Sequence, residues 1–498
     1  MMEVLKGFEQ FVKDTMEEWQ VPGVAIAIVK DDEVVYAEGF GYRDVENELP
    51  VTPETIFAIG SSTKSFTATS AGIMVDDGKL DWNTPIRKWL PSFELHDRFA
   101  SERMTLADLL CHRSGLPRHD LMWIGTPLTR KGIFDRLKHL EPSKDFRTLW
   151  QYQNLMYLTA GYLVGTVNDS SWEDVVRERI FAPLEMNDSN LSVIDSQKTD
   201  NYALPYEVPD RKSGERKLID FRNIDAIGPA GSINSNVLDM AKWLMLNLNG
   251  GKCKDEQIVA EATLKEIHSA QMPLVTEAIL MPPFETHPEI GQASYGFGWL
   301  IQNYRGHRWL HHGGNIDGFN AMISLLPNEK YGIVILSNLS GAIALPILGN
   351  LLDRLLELEP LDWNKIWLDF RDEQIKGTEA GDEAMEKARI PDTQPSHALE
   401  DYVGEYEHPA YGDFTVELRD GSLVSTYNDM EFQTNHYHYD MFLGKIEKFS
   451  FSLPLTFSIG SDGSVSSVSA PLGMHPAVKP IEFVRKPAPE AEGEAEQD

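Results

Sequence analysis

The fold and the chemistry of this chain centre on residues 57–66, which read FAIGSSTKSF. A short apolar run ends at Gly60, Ser61 follows it, and Lys64 comes one helical turn later. The residues that follow have helical character as far as Gly78, a residue type that commonly ends a helix. The pattern therefore predicts that Ser61 begins a helix and that Lys64 lies on the same face, one turn along.

Such a pair suits nucleophilic chemistry. A serine hydroxyl is a weak nucleophile until a neighbouring base removes its proton. A lysine can be that base only when it is neutral, and burial and the positive end of a helix dipole both disfavour its charged form. The structural alternative is a serine that caps the helix beside a solvated lysine. Ser-x-x-Lys alone is a weak motif, because about two are expected by chance in a chain of this length.

Composition limits the classes of partner. Hydrophobic residues make up 42% of the chain and charged residues 24%, which is typical of a globular protein. The net charge of −32 argues against a nucleic acid or an anionic membrane as partner. Only two cysteines, Cys111 and Cys253, are present, so a disulfide framework is excluded. The first residues lack a signal-peptide core and no apolar run is long enough to span a membrane, which predicts a cytoplasmic protein.

The order of elements predicts a mixed α/β fold. An amphipathic helix at residues 2–19 precedes a hairpin formed by residues 21–29 and 34–40. Strand patterns return only at residues 295–338, after a mostly helical middle. We therefore expect one catalytic domain over residues 1–360, an antiparallel sheet flanked by helices, with an all-helical insertion at about 80–285.

The remaining sequence predicts a second, smaller domain. Residues 361–395 form a charged helical connector, and residues 396–486 alternate short strands with turns, as in a small all-β barrel or curled sheet. His436 and His438 would share one strand face there, so a metal site is an alternative to an aromatic core. Residues 487–498 are rich in Pro, Ala and Glu and are predicted to be a disordered acidic tail.

Two further stretches carry candidate site residues. Tyr152 and Asn154 precede a helix predicted from Met156, and an extended chain would point both to one side. A phenol can relay a proton there and an amide can orient a carbonyl group. Residues 309–319, WLHHGGNIDGF, end a strand in paired glycines that let a ligand approach the backbone. The adjacent His311 and His312 face opposite ways on a strand, so no metal site is predicted from them.

Three motifs taken together resemble the serine β-lactamase and penicillin-binding-protein superfamily, and its class C-like branch of esterases, D-aminopeptidases and CubicO-type peptidases in particular. The resemblance covers about residues 1–355, and the shorter stretches LCHRSGLP at 110–117, PAG at 229–231 and YGFGW at 295–299 support it. The three motifs are, in chain order, Ser61-x-x-Lys64, Tyr152-x-Asn154 and His312-x-Gly314.

The resemblance implies roles for the catalytic residues. Ser61 would attack a carbonyl and form an acyl-enzyme, with Lys64 as its base. Tyr152 would handle protons for the leaving group and the incoming water, and Asn154 would hold the substrate amide. No cofactor is implied. His112 is expected to be a structural hydrogen-bonding residue at a helix end, and residues 228–233 a wall of the cleft.

The third motif would bind substrate through His312, Gly313, Gly314 and Asn315. The backbone N–H groups of Ser61 and Asn315 would hold the oxyanion. Most β-lactamases and transpeptidases have a lysine at the position of His312. Because a histidine of pKa about 6.5 is mostly neutral at pH 7, recognition of a carboxylate is weakened. The departure favours an esterase or peptidase over a β-lactamase.

The C-terminal region resembles the lipocalin-like domain attached to an archaeal CubicO-type peptidase. That resemblance implies a homo-oligomer formed through the β domain, and a domain that shades the entrance to the site. The residues that carry it are YVGEY at 402–406, YG at 411–412, HYHYD at 436–440 and Phe483.

The leading hypothesis is a serine hydrolase acting on small esters or short peptides, including peptides with D-residues. An acyltransferase or a β-lactamase of the same superfamily is one alternative. A penicillin-binding sensor that acylates without turning over is another.

Overall fold

The structure, a computed structural model, describes residues 3–209, 214–275, 282–446, 451–473 and 478–487. The predicted acidic tail lies outside the described residues apart from Pro487. The chain forms an N-terminal domain built on one large sheet, a long connecting helix, and a C-terminal β-barrel.

The large sheet has nine antiparallel strands. An interior strand, Gly23–Lys30, lies third from one edge and pairs with Glu33–Asp44 on one side and with Tyr331–Ser337 on the other, so the two ends of the domain meet within one sheet. This arrangement confirms the mixed α/β fold predicted from the sequence. The strands are, in spatial order, Met272–Pro273, Ser294–Tyr295, Leu300–Tyr304, His307–Ile316, Phe319–Leu326, Tyr331–Ser337, Gly23–Lys30, Glu33–Asp44 and Leu49–Pro50.

Both faces of the sheet are covered. Ala25 and Ala27 belong to the larger hydrophobic cluster, while Ile26 and Ile28 belong to the smaller one, as the two-residue period of a strand requires. The helices Phe8–Trp19 and Ala344–Leu355 supply the smaller cluster, and the helix Val237–Leu248 packs on the opposite face with the inserted region.

The inserted region is mainly helical, with some extended segments. Two-residue strands pair within it, for example Tyr206–Glu207 with Lys217–Leu218 and Lys252–Cys253 with Glu256–Gln257, and Met272–Pro273 joins the main sheet. Pairs this short produce no readable alternation, so the sequence indicated helices alone. The helices from Thr63 to Glu285 are Thr63–Asp76, Arg98–Arg103, Leu106–Leu110, Arg130–Arg136, Asn154–Val167, Trp172–Val176, Val193–Ser196, Val237–Leu248, Glu261–Ile267 and Pro282–Glu285.

A single long helix, Trp363–Ala388, connects the two domains. Its first turns are anchored, because Trp363 and Trp367 are buried in the smaller cluster. The indole N–H of Trp363 donates to Asp353 Oδ2 at 3.0 Å. Most of the helix beyond these turns is exposed. None of the helices in the described ranges combines the length and the apolar character needed to cross a bilayer.

The C-terminal domain is a closed barrel of eight strands, as the alternation of short strands and turns in its sequence predicted. Tyr406 pairs with Arg485, which closes the barrel. The sequence pattern predicts a first strand over residues 402–406, but this strand begins at Gly404, because Leu399–Tyr402 forms a helical turn. The strands are Gly404–His408, Gly412–Arg419, Ser422–Tyr427, Met430–His438, Met441–Ile446, Phe451–Ile459, Val465–Ala470 and Ile481–Arg485. The sequence pattern also predicts a strand over residues 449–459, and the first two of these residues lie outside the described residues.

Candidate active site

Ser61 sits where a tight turn enters the helix Thr63–Asp76 and meets the end of the strand His307–Ile316. Gly60 has a φ of 50°, and a Cβ there would lie 2.9 Å from Asn315 N. A Cβ on Gly314 would lie 1.9 Å from Ile59 O. Two glycines therefore let the turn and the strand approach so closely that Ser61 and Asn315 line the same cavities.

Lys64 is completely buried one turn after Ser61. Its Nζ lies 3.1 Å from Ser61 Oγ, 2.8 Å from Asn154 Oδ1 and 2.7 Å from Ala230 O. Burial lowers the pKa of Lys64 well below its ordinary value, and the nearby Arg118 cation lowers it further. The stretch predicted to be a wall of the cleft thus also supplies a carbonyl oxygen to the lysine, through Ala230.

Asn154 is held from both sides. It is the first residue of the helix Asn154–Val167, two residues earlier than predicted. Its Oδ1 accepts from Lys64, and its Nδ2 donates to Asp120 Oδ1 at 2.9 Å. Asp120 also accepts from Arg118 Nε at 2.6 Å and from Trp123 Nε1 at 2.9 Å. The carboxylate of Asp120 can only accept, so it fixes which end of the Asn154 amide faces the lysine.

Arg118 and Asp120 were missed by the sequence reasoning. They follow directly after the LCHRSGLP stretch, in a loop that leads into the short turn Asp120–Met122. The only sequence signal for these two residues was a pair of opposite charges next to the LCHRSGLP stretch. Their partner Asn154 is 34 residues away in sequence, so only the folded chain shows the link.

Tyr152 lies beside the serine and lysine pair. Its ring centroid is 4.8 Å from Lys64 Nζ, and it lines a cavity together with Ser61. Burial raises the pKa of Tyr152 above its ordinary value, although the nearby Ser61 hydroxyl and the Arg118 cation oppose the rise. The phenol is therefore protonated at neutral pH and close to the atoms that would react.

His112 has the structural position that the sequence predicted. It follows the end of the helix Leu106–Leu110, and its Nδ1 accepts from the backbone N–H of Gln153 at 3.0 Å. Its ring lies 4.5 Å from the Tyr152 ring between centroids. Burial lowers the pKa of His112 well below its usual range, so the ring is neutral and supports the segment that carries Tyr152 and Asn154.

His312 is neutral and fully engaged with the protein. Its Nδ1 lies 2.6 Å from Gly313 O, which can only accept, so that nitrogen carries the proton. Its Nε2 then accepts from the Tyr295 hydroxyl at 3.0 Å. Burial first, and Lys64 second, lower the pKa of His312 to about 3. The third motif therefore places no cation beside Ser61.

His311 faces the opposite side of the strand from His312, because successive side chains of a strand point to opposite faces. Its Nε2 lies 2.9 Å from Gln302 Oε1 and its ring stacks on Trp309. Within the described ranges, no group of three or more His, Cys, Asp or Glu could hold a metal ion. A bulge lies between His436 and His438 in the barrel, so the alternation that would place them together is broken there.

Two cavities adjoin Ser61. The first has a volume of about 180 Å³ and the second about 310 Å³. Ser61, Arg118 and Asn315 line both, so a substrate bound across the serine would extend into each. Asn154, Asp120, Arg222 and Asp317 are on the side of the first cavity, and Tyr152, His312 and Gly313 are on the side of the second.

Comparison with family models divides the chain in the same way as the structure. Residues 8–357 match the family model described as Beta-lactamase. Residues 388–485 match a model described as a domain of unknown function, DUF3471. The first match covers more than half of the chain and includes the turn of Ser61 and the strand of His312.

Individual relatives agree with the family match. The chain is 29% identical over 493 residues to an unguisins hydrolase of Aspergillus campestris, a match that covers 93% of this chain and 88% of that protein. The structure resembles a D-amino acid amidase of Ochrobactrum anthropi complexed with L-phenylalanine amide, with a TM-score of 0.57 and 25% identity over 71% of this chain and 97% of that one.

A solved structure that spans both domains shows the same fold. It is an octameric penicillin-binding protein homologue of Pyrococcus abyssi, with a TM-score of 0.61 and 24% identity, covering 97% of this chain and all of that one. With the family match over residues 8–357 and the arrangement around Ser61, these comparisons show that the chain belongs to the Beta-lactamase family.

Proposed function

We propose that this protein is a serine hydrolase that forms an acyl-enzyme on Ser61 and cleaves amide or ester bonds of small substrates. Short peptides, including peptides with D-residues, are the substrates we favour. The observation that carries the proposal is the buried Lys64, held 3.1 Å from Ser61 Oγ with a lowered pKa.

The contacts of Lys64 prepare it to act as a base. A neutral amine has two N–H groups and one lone pair. Asn154 Oδ1 and Ala230 O can only accept hydrogen bonds, so they take the two N–H groups. Ser61 Oγ is the one partner of the three that can donate, and it is left facing the lone pair. The arrangement directs the serine proton towards the lysine.

The oxyanion would be stabilised by backbone donors. We propose that the N–H groups of Ser61 and Asn315 point at the developing charge, because Gly60 and Gly314 bring these two backbone segments together. Such donors are fixed before the reaction and need no reorganisation, and losing one typically costs about a hundredfold or more in rate. Gly313 and Gly314 would allow the substrate backbone to lie against the strand.

Tyr152 would move the proton in the later steps. Its protonated phenol lines the same cavity as Ser61, so it can give a proton to the leaving group and afterwards, as a phenolate, take one from the water that releases the acyl group. Asn154 has a positioning role in this scheme, since its two ends contact Lys64 and Asp120. His312 would shape the pocket as a neutral ring held by Tyr295.

The substrate preference follows from the neutral third motif. With no cation at His312, an obligatory carboxylate such as that of a β-lactam has no fixed partner there. Two relatives are named as a hydrolase of unguisins and an amidase of D-amino acids, which supports amide bonds as substrates. We keep small esters as a second substrate class, because the same acyl-enzyme forms from either.

We also propose that the chain self-associates through its barrel and acts in the cytoplasm. In the part of the barrel that the structure describes, three large apolar side chains are exposed, Tyr439 at 55%, Ile459 at 38% and Val484 at 57%. Light scattering on the full chain tests the assembly. An oligomer that is weakened by Val484→Glu supports the proposal, and a monomer at all concentrations contradicts it.

The central test compares the parent with Ser61→Ala. Both are given p-nitrophenyl esters, L- and D-amino-acid anilides and a chromogenic cephalosporin, and are treated with a fluorophosphonate before intact-mass measurement. We expect the parent to turn over an anilide or ester and to gain one adduct, and Ser61→Ala to do neither. Ser62→Ala is the matched control, since it changes the neighbouring serine and leaves the proposed nucleophile.

The same experiment separates the alternatives. Hydrolysis by Ser61→Ala at the parental rate would overturn the proposal. A persistent adduct without turnover would favour the sensor, and preferential transfer to an added amine would favour the acyltransferase. Efficient turnover of the cephalosporin in preference to the anilides would favour a β-lactamase.

A further inference from the structure

The second cavity beside Ser61 has an apolar wall. Tyr152 and His312 line the cavity together with Ser61. The apolar wall consists of Trp367 and Phe370 from the connecting helix, together with Ala342, Leu345 and Met322. Its volume of about 310 Å³ is at the lower end of the range of about 300–1,000 Å³ that is usual for ligand pockets.

The two cavities differ in chemical character. The first is lined by the ion pairs of Arg118 with Asp120 and of Arg222 with Asp317. In the second, the described lining contains one formally charged side chain, Arg118, at the boundary that the two cavities share. A substrate lying across Ser61 would therefore place a polar end on one side and an apolar group on the other.

The apolar wall is held in place by the N-terminal domain. Trp367 is 2% exposed, and its ring lies 5.4 Å from that of Phe284 and 5.8 Å from that of Phe370, edge to face in both cases. One turn earlier, Trp363 is hydrogen-bonded to Asp353 and to Tyr304. A wall fixed by packing can select among side chains by size, because it does not move away from them.

We propose that the start of the connecting helix forms a specificity subsite that accepts a large apolar side chain of the substrate, aromatic or branched aliphatic. The inference rests on the proposed function, because it concerns the substrate of Ser61. Trp367 and Phe370 lie between the two family matches, at residues 8–357 and 388–485. The joining segment therefore contributes two aromatic residues to the subsite, and residues 8–357 contribute Met322, Ala342 and Leu345.

Two substitutions with opposite effects on the cavity test the subsite. Phe370→Ala enlarges it and removes apolar contact, while Ala342→Phe fills it. The readout is the ratio of kcat/KM for phenylalanine or leucine substrates to that for alanine or glycine substrates with the same leaving group. Both enantiomers are used, and a second series varies the leaving group side chain.

We expect the parent to prefer the large side chains. Phe370→Ala should lower that preference about tenfold, which is the scale expected when an apolar pocket loses complementary contact. Ala342→Phe should abolish the preference and leave the small substrates cleaved. Ile375→Ala is the matched control: it lies on the same helix, is 39% exposed, and is absent from the described cavity lining. Its ratio should equal that of the parent.

The outcomes distinguish failure of the subsite from failure of the proposed function. If Phe370→Ala and Ala342→Phe keep the parental ratio while Ser61 is still labelled by the fluorophosphonate, the subsite is overturned and the hydrolase stands. If Ser61→Ala remains active, the proposed function fails first. Thermal melting of each variant shows whether it is folded, and Phe370→Leu, which keeps an apolar side chain, should retain most of the preference.

Discussion

Lys64 is the residue at which burial, geometry and charge act together. A buried ammonium is costly, so the neutral amine is favoured, and the three oxygen partners then define where its lone pair points. Arg118 strengthens this effect because a second cation close by also disfavours the charged lysine. The activity should therefore depend on pH through Lys64.

We expect kcat/KM to rise with pH as Lys64 loses its proton, with the midpoint well below the ordinary lysine pKa. Arg118→Gln should move this midpoint to higher pH, because it removes a positive charge that lowers the pKa of Lys64 and leaves the opposing Asp120 unpaired. Full pH profiles of kcat/KM measure the shift. Arg118→Lys keeps the charge and should keep the profile closer to that of the parent; a shift to lower pH in Arg118→Gln would contradict this account.

Asp120 tests the positioning of Asn154. Asp120→Ala removes the acceptor for Asn154 Nδ2, so the amide no longer has a preferred orientation towards Lys64. An unmade bond of this kind costs about 1–3 kcal/mol, which corresponds to a fall in kcat of about tenfold to a hundredfold. KM should change less, and the pH profile should broaden or shift. An unchanged kcat would show that the orientation of the amide does not limit the reaction.

At the scale of elements, the site depends on one close approach between a turn and a strand. The turn of Gly60 and the strand His307–Ile316 can meet only if no side chain separates them. Adjacent glycines in that strand provide an internal comparison, since Gly314 faces backbone and Gly313 faces a flexible side chain.

Gly314→Ala should abolish activity and lower the melting temperature. The added Cβ would lie 1.9 Å from Ile59 O, so the turn that carries Ser61 must move. Gly313→Ala is the control for folding and for labelling of Ser61, because its Cβ would lie 3.2 Å from the flexible end of Met322 and 3.8 Å from Ala321 O. Melting curves and fluorophosphonate labelling are the measurements. Equal effects of the two substitutions would show that the close approach at Gly314 is not what the site requires.

Local sequence patterns predicted the helix and strands around Ser61. They did not predict the residues that support the site, such as Asp120 and Phe370. Ser61 and Lys64 are one helical turn apart, and the strands carry continuous apolar runs, so spacing alone placed them. Asp120 reaches Asn154 across a loop, which no periodicity encodes. Phe370 lies in a segment whose charge pattern indicated only a connector. In the strand Met430–His438, a bulge breaks the alternation that would have placed His436 and His438 on one face, and no sequence period indicates it.

At the scale of the whole molecule, the barrel supports the loop that carries Asp120. The Tyr427 hydroxyl donates to Leu121 O at 3.0 Å, and Asn428 Nδ2 donates to Ile124 O at 2.9 Å. The Tyr411 hydroxyl lies 2.7 Å from His119 Nδ1. The C-terminal domain is thereby connected to the residues that position Asn154.

Loss of these contacts should slow the reaction without touching Ser61. We expect Tyr411→Phe combined with Tyr427→Phe to reduce kcat several-fold, because the loop of Asp120 loses two hydrogen bonds. The rate at which the fluorophosphonate phosphonylates Ser61, with release of fluoride, measures the same effect directly. Tyr439→Phe, at an exposed tyrosine of the same barrel, is the control and should match the parent. Parental kinetics in the double variant would show that the barrel does not influence the site.

The position of Gly23–Lys30 between an early and a late strand has a consequence for synthesis of the protein on the ribosome. Val24 is paired with Ser337, more than 300 residues later, so this strand leaves the exit tunnel long before one of its two neighbours exists. Seven of its eight residues are buried in the finished domain. The edge of the strand that will pair with Tyr331–Ser337 stays unpaired while the intervening chain is translated. Closing such distant contacts is slow, and it makes the nascent chain dependent on protection from aggregation.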